Sequence, residues 1–484
     1  MSRRIYHRDI THALNNATRH SIRWCTPSID FSTERVIDHY LSDMSVSFES
    51  LGYPSEPSGI FLSAFKKAAK AYKSDHTLFS INGSTGSNFI VIRSLTKQIP
   101  NIRILAQRNI HKSILNACQD YGANLLFIDP KIDSHLQFFL PNSIEEIENA
   151  VKETRPHVLL ITNPTYEGIT INLKKIIASI RKINPSIIVF VEEAWGSHLA
   201  FSKKLPDSAM ESGADICVQS THKQGGSLQQ TGMLHWKDGR IKSDLIMESY
   251  RNLSSTSPSY ILLASLDEAR KQMIKNGAKK ISRLLKIASS LSKGLLKIEG
   301  FRIVSLENLR SKNKSIYDKD ETKVIVDVSR TGYTGQEIAC LLEEEFNIIV
   351  EKYNQTTLLF LIPFQATLEN VDKTIEALKK VVKVRKKKHR KELSILIPSS
   401  TPKILDFGDV ARLTLSQKEV VSLKSAKGRI SAENITPYPP GIPTTIQGEQ
   451  FTDEIISYYE SIKTHKNTHI LARDISLETV LVVK

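Results

Sequence analysis

The 484-residue chain contains no apolar run long enough to span a bilayer. Its longest apolar stretches, such as Ser186-Ile-Ile-Val-Phe-Val191, have the length of a strand. Cysteine is scarce: Cys25, Cys118, Cys217 and Cys340 are scattered, with neither a disulfide framework nor metal-ligand spacing. No metal site is expected, and a reducing cytoplasm is the expected compartment. The chain also lacks the Gly-Lys-Ser/Thr ending of a P-loop and the spaced glycines of a dinucleotide fingerprint. The start, Met1-Ser-Arg-Arg-Ile-Tyr-His-Arg8, is basic but has no secretory apolar core; Asp9 and the lack of a Ser-rich tract disfavour a transit peptide. Acidic residues are outnumbered, 51 against 66 basic, for a net charge of +15. Part of that excess is local, in the run from Lys379 to Lys391. The run has no interleaved aromatics for bases to stack on, so a solvated helix end leading into a linker is expected rather than a nucleic-acid site.

The remaining composition, 40% hydrophobic and 24% charged, is ordinary for a soluble globular protein. The length implies two or three domains. Residues 1–75 read as an arm, with helical spacing at Glu34–Leu41 and Phe61–Tyr72. Residues 76–275 alternate short β-rich runs (77–81, 102–105, 125–128, 157–161, 187–191) with helical stretches such as Ile144–Thr154 and Leu173–Ile183. That alternation predicts an α/β domain with a mostly parallel sheet. A long helix from Tyr260 to Ile298 leads into a smaller α+β domain over 276–385. A C-terminal segment, 394–484, contains the proline-rich Pro437–Pro443, unsuited to a helix or a central strand.

In parallel sheets ligands bind beyond the carboxyl ends of the strands, and five short motifs fall there. Asn82-Gly83-Ser84-Thr85-Gly86-Ser87 follows a strand and opens a helix, an arrangement suited to an anion. His111, in Arg108-Asn109-Ile110-His111, can stack on a flat cofactor. Asn163-Pro164 makes a rigid turn. Glu192, in Glu192-Glu193-Ala194-Trp195-Gly196-Ser197-His198, could pair with a ring nitrogen. Lys223, in Ser220-Thr221-His222-Lys223, is placed to form a Schiff base with a carbonyl cofactor, with Ser220 and His222 at hand for its phosphate. Taken singly, each also fits a structural role: a surface lysine, a helix-start histidine in solvent, a loop-shaping turn, an acidic helix cap.

Taken in order, the motifs resemble the pyridoxal-phosphate-dependent Orn/Lys/Arg decarboxylases of the type I, aspartate-aminotransferase-like fold, in their short bacterial form. Ser257-Pro258-Ser259-Tyr260, Gly428-Arg429-Ile430 and Tyr438–Pro443 extend the resemblance along nearly the whole chain. It implies that Lys223 carries pyridoxal phosphate as an imine. Ser84, Thr85, Gly86, Ser87, Ser220 and His222 would hold the phosphate. His111 would stack on the ring, Glu192 would face its nitrogen, and Ala194 and His198 would line it. Thr256 and Ser257 would reach the phosphate of a neighbouring subunit, so a homodimer is implied. The reaction implied is decarboxylation of arginine, lysine or ornithine toward polyamines, with Lys223 or a histidine returning the proton to the substrate carbon.

Three positions depart from the family. Its ring-nitrogen Asp is Glu192 here; its Pro-Gly-His reads Pro27-Ser28-Ile29; its Asp-Asp-Leu-His reads Gly52-Tyr53-Pro54-Ser55. These changes keep open another Cα reaction on the same scaffold, by an aminotransferase or oxidative deaminase; a separate alternative is a cofactor-bound but catalytically idle protein that binds a partner through the basic linker. A positive chain needs local acids to take a cationic substrate; Glu167, Glu193, Glu433 and Glu449 are the candidates.

Overall fold

The strand Val158–Thr162 is buried along its whole length, as is Ile188–Glu192, so both must lie inside a sheet covered on two faces. The computed structural model describes residues 21–29, 52–129, 131–383, 401–438, 443–463 and 469–484. The expected helix at Glu34–Leu41 and most of the basic run lie outside these residues. In the described part, seven strands form the central sheet in the order His76–Ser80, Gly232–Trp236, Ile216–Gln219, Ile188–Glu192, Val158–Thr162, Arg103–Gln107 and Asn124–Ile128. All run parallel except Gly232–Trp236, which is antiparallel to both neighbours. That strand was not anticipated: only the four-residue helical turn Thr221–Gln224 and a glycine-rich loop separate Gly232-Met-Leu-His-Trp236 from the preceding strand, too little to announce it.

Alternate residues face opposite layers. Val158, Leu160, Ile188 and Phe190 join one core with the helices Gly59–Tyr72, Gly83–Gln98 and Ser243–Leu253, while Leu159, Ile161, Val189 and Val191 join another with Ile144–Thr154 and Leu173–Ile183. The Ile144 helix starts where Ser143 and Glu146 form a capping box. This is the expected doubly covered α/β sheet.

The helix Tyr260–Leu295 carries the chain from one core to the next. Leu263 and Leu266 pack in the first, and Ile281 to Leu295 in the second. The change of core therefore falls inside a continuous helix. The second core lies against a four-stranded antiparallel sheet of Arg302–Ile303, Lys323–Asp327, Thr357–Leu361 and Lys352–Tyr353, with helices Gly335–Phe346 and Leu368–Lys383. The early strand Ile22–Trp24 also belongs here: it pairs in parallel with Ile348–Val350, and Trp24 Nε1 donates to Thr374 Oγ1 at 2.9 Å. A further cluster joins the antiparallel pair Lys418–Ser422 and Thr479–Val483 to the helix Asp453–Lys463. Pro437 sits in a two-stranded ribbon, Thr436–Tyr438 with His469–Leu471, as its missing N–H demands.

Beneath the sheet edge His235 is fully buried. Its Nδ1 lies 2.7 Å from Thr77 Oγ1, its Nε2 3.2 Å from Gln219 Oε1, and Tyr72 stacks on its ring. Burial pushes its pKa from 6.5 down to about 3. The unfolded chain takes up this proton below about pH 6.5 and the folded chain does not, so the stability tied to a neutral His235 is lost as pH falls from 6.5 toward 3. Melting curves should therefore show the gap between the native protein and His235→Gln narrowing over that window; a constant gap would mean that the imidazole is not held neutral.

Candidate active site

The parallel strands end along one edge, and the residues anticipated from sequence follow those ends. The helix Gly83–Gln98 begins directly after His76–Ser80. Gly83 adopts φ 59°, a left-handed turn suited to glycine, and its N–H donates to Gln230 O at 2.8 Å. Asn82 at the N-cap makes no side-chain cap, so first-turn N–H groups remain for an anion. Ser220 Oγ donates to Ser84 Oγ at 2.8 Å, joining two strand ends. A Cβ on Gly232 would come within 3.1 Å of Ser84 N and 2.9 Å of Gly83 C, so the anion turn packs directly on that strand. Gly86 is buried and Thr85 exposed, while the Ser87 hydroxyl donates back to Gly83 O at 3.3 Å. His222 Nδ1 lies 2.7 Å from Thr231 O. Burial pushes His222 down to about 4; the Thr231 contact opposes that drift and Lys223 adds to it.

His111 heads the helix Lys112–Tyr121. Its Nδ1 accepts from Ser113 N at 3.2 Å and lies 2.8 Å from Ser113 Oγ, which itself accepts from the buried Asn88 Nδ2 at 2.9 Å. The Ser113 hydroxyl proton therefore points at Nδ1, leaving the ring proton on Nε2. His111 is open to solvent by surface area, yet the surrounding atoms desolvate it. That desolvation, then Lys223 and Lys112, pushes it to about 4. The bonds at Nδ1 and the neighbouring charge both favour a neutral ring.

Glu192 ends its strand paired in register with Val218, and Lys223 lies in the helical turn Thr221–Gln224 that follows the adjacent strand. Glu192 is buried, and its Oε1 has no protein partner. Burial raises its pKa to about 7, against the pull of Lys223 and of the Ala194 N–H. Burial likewise lowers that of Lys223, against Glu192 and Glu351. Both groups are thus driven toward neutral forms, and their mutual attraction limits the drift. The Lys223 Nζ lies 3.8 Å from the centre of the Trp195 ring. His198 is buried after the same strand, its Nε2 3.1 Å from Asp320 Oδ2. Burial alone would raise Asp320; His198, Lys323 and Thr322 hold it well below the usual carboxylate range.

The adjacent Glu193 does different work. It accepts from Ala209 N at 2.7 Å, Gln219 Nε2 at 2.6 Å and Cys217 Sγ at 3.3 Å. The other nominated acids are also engaged: Glu167 with Lys352 at 2.9 Å, Glu449 with Arg108 at 2.6 Å, and Glu433 with the N–H groups of Arg473 and Leu481. Thr256 and Ser257 are exposed, in the turn between two helices.

Several residues in the site were not anticipated. Lys323, from the second core, sits 4.1 Å from the Trp195 ring centre and donates to Tyr166 O at 2.8 Å; burial lowers it to about 7. Tyr166 packs on Trp195 and donates to Glu351 at 2.8 Å, and Glu351 also accepts Thr26 N at 2.7 Å. Ser28 N donates to Lys223 O at 3.3 Å, while Ser28 Oγ accepts Phe364 N at 2.8 Å. The Thr26-Pro27-Ser28 segment thus crosses the lysine turn. Only the departure at Pro27-Ser28 pointed there from sequence.

Glu193→Gln would face an amide NH2 toward groups that themselves donate. A loss of about 1–3 kcal/mol is expected, read as a lower urea midpoint; an unmoved midpoint would show those bonds to be dispensable.

A family model of the Orn/Lys/Arg decarboxylase major domain matches residues 29–370, and one of the C-terminal domain matches 406–469. The arginine decarboxylase of Bacillus subtilis (strain 168) is 35% identical over 430 residues, 87% of this chain and 85% of its own length. That of Halalkalibacterium halodurans is 35% identical over 425 residues, 87% and 84%. Among solved structures, the Francisella novicida lysine decarboxylase LdcF superposes with a TM-score of 0.79 at 21% identity, covering 98% of this chain and 81% of that one. The E. coli constitutive lysine decarboxylase gives 0.76 at 20%, with the same coverage. These structures share the fold, the type I fold of pyridoxal-phosphate enzymes. The chain belongs to the Orn/Lys/Arg decarboxylase family.

Proposed function

We propose that this protein decarboxylates a basic amino acid with pyridoxal phosphate held on Lys223, and that arginine is its substrate. The observation that carries the reading is the pair at adjacent strand ends, half-buried Lys223 and buried Glu192, with one carboxylate oxygen of Glu192 left without a protein partner. The residues present fit the cofactor. The uncapped turn at Ser84, Thr85 and Gly86, with Ser220 and His222 beside it, suits the phosphate. His111 offers a flat neutral ring. The free Oε1 of Glu192 suits a protonated ring nitrogen. Bound there, pyridoxal phosphate supplies the electron sink that lets the substrate's carboxylate bond break.

The chain's own residues do the rest. Lys223 provides the attaching amine, and its desolvation favours the nucleophilic neutral form. Glu192 holds a proton at the ring nitrogen; buried, it is worth more there than a solvated acid would be. Trp195 and Tyr166 form an apolar wall beside Lys223, which keeps water from the reacting carbon. Arginine is favoured over lysine because the relatives matched along most of their length at 33–35% identity are named arginine decarboxylases. The lysine decarboxylases of Hafnia alvei and E. coli (inducible) match 85% of this chain at only 24% and 25% identity. The exposure of Thr256 and Ser257 supports their serving a second copy in a homodimer.

Incubation with arginine, lysine and ornithine, followed by product analysis, should yield carbon dioxide and agmatine from arginine. Keto acid, ammonia or peroxide instead would assign another Cα reaction. Lys223→Ala should abolish both the imine absorbance and turnover, and turnover at the parent rate would remove Lys223 from the mechanism. Glu192→Gln should retain the cofactor yet slow turnover by about 10²-fold or more; an unchanged kcat would show that this carboxylate does not serve the ring.

A further inference from the structure

Three residues before His111, the strand Arg103–Gln107 gives way to Arg108, whose side chain is 4% exposed. Its guanidinium grips the C-terminal segment with every nitrogen. Nη1 lies 2.6 Å from Glu449 Oε1 and Nη2 2.8 Å from Oε2; Nε donates to Pro443 O at 2.9 Å and Nη2 to Thr444 O at 3.1 Å. Glu449 is itself held by Thr401 Oγ1 and Ile446 N, each at 2.8 Å. A planar fork of this kind fixes orientation as well as position. The far end of the helix that His111 heads is held as well: Arg412 Nη1 donates to Gly122 O at 3.4 Å, and the short helix Phe407–Arg412 packs beside it. Residues after 400 thus grip the Lys112–Tyr121 helix at both ends.

We propose that Arg108, locked by Glu449, is a positioning residue that fixes His111 against the cofactor ring, so that the C-terminal segment is part of the active site's support. This rests on the cofactor reading above. The fork sets the strand end, the three-residue loop leaves little slack, and the Asn88–Ser113 link then sets the rotation of the ring. The fork acts on the backbone of the loop, and the serine acts on the imidazole.

A double-mutant cycle on the cofactor dissociation constant separates this role from simple domain adhesion. Arg108→Met with Glu449→Leu replaces the pair together, so no lone charge is left in the core. That protein should bind pyridoxal phosphate about tenfold more weakly. Added to His111→Ala, the pair replacement should cost less than about a further twofold, because its effect runs through a ring already removed. Full multiplication of the two losses would overturn the proposal, as would an unchanged constant. Glu449→Gln, with the arginine kept, should show the same non-additivity, and it decides the matter if the paired variant does not melt cooperatively. Borohydride fixation with mass spectrometry on the parent tests the underlying reading separately. No adduct at Lys223 would sink the cofactor assignment and this inference with it; an adduct with a multiplicative cycle would sink this inference alone.

Discussion

A buried carboxylate at one strand end and a half-buried amine just past the next are the constraint on which the rest of this structure depends. Glu192 can be buried and Lys223 desolvated together because adjacent strands bring their ends to one place. Each lowers the cost of burying the other, although neither is fully compensated. What surrounds them limits that cost. Trp195 lies under the amine, the Ala194 N–H meets Glu192, and the lysine turn is tied through Gln224 Nε2 to Thr322 Oγ1 at 2.8 Å. Thr322 in turn donates to Asp320, the partner of His198. Polar groups from two cores therefore meet around the Lys223 turn.

The two adjacent acids show how direction, not composition, assigns roles. Glu192 and Glu193 share a neighbourhood and a similar upward push from burial. Successive residues at a strand end point to opposite sides. Glu193 finds three donors and serves the scaffold, while Glu192 keeps an oxygen free. The same logic disposes of Glu449, an acid that could have drawn a cationic substrate but spends its charge on Arg108.

Much of the site was legible because parallel sheets expose their chemistry at strand ends, and those ends are local in sequence. Ser84, His111, Glu192 and Lys223 each follow a short apolar run that only a buried strand explains. The helices Ile144–Thr154 and Leu173–Ile183 were legible to the residue because apolar spacing and clear breaks coincide there. The strand Ile22–Trp24 was not: three residues carry too little periodicity, and its partner lies more than 300 positions away. Glu351, Lys323 and Asp320 were hidden for the same reason. Nothing near them in sequence marks them as partners of Trp195, Tyr166 and His198.

Local pattern alone determined the parallel α/β scaffold, the order of the motifs and the choice of Lys223 as the candidate lysine, since each depends on residues within a few positions of one another. Tertiary structure decided which carboxylate stays unpaired, which histidine nitrogen carries the proton, and that the arm and the C-terminal segment both brace the centre. Those outcomes depend on burial and on partners brought together across hundreds of residues, and desolvation acts only once the chain has closed around the group.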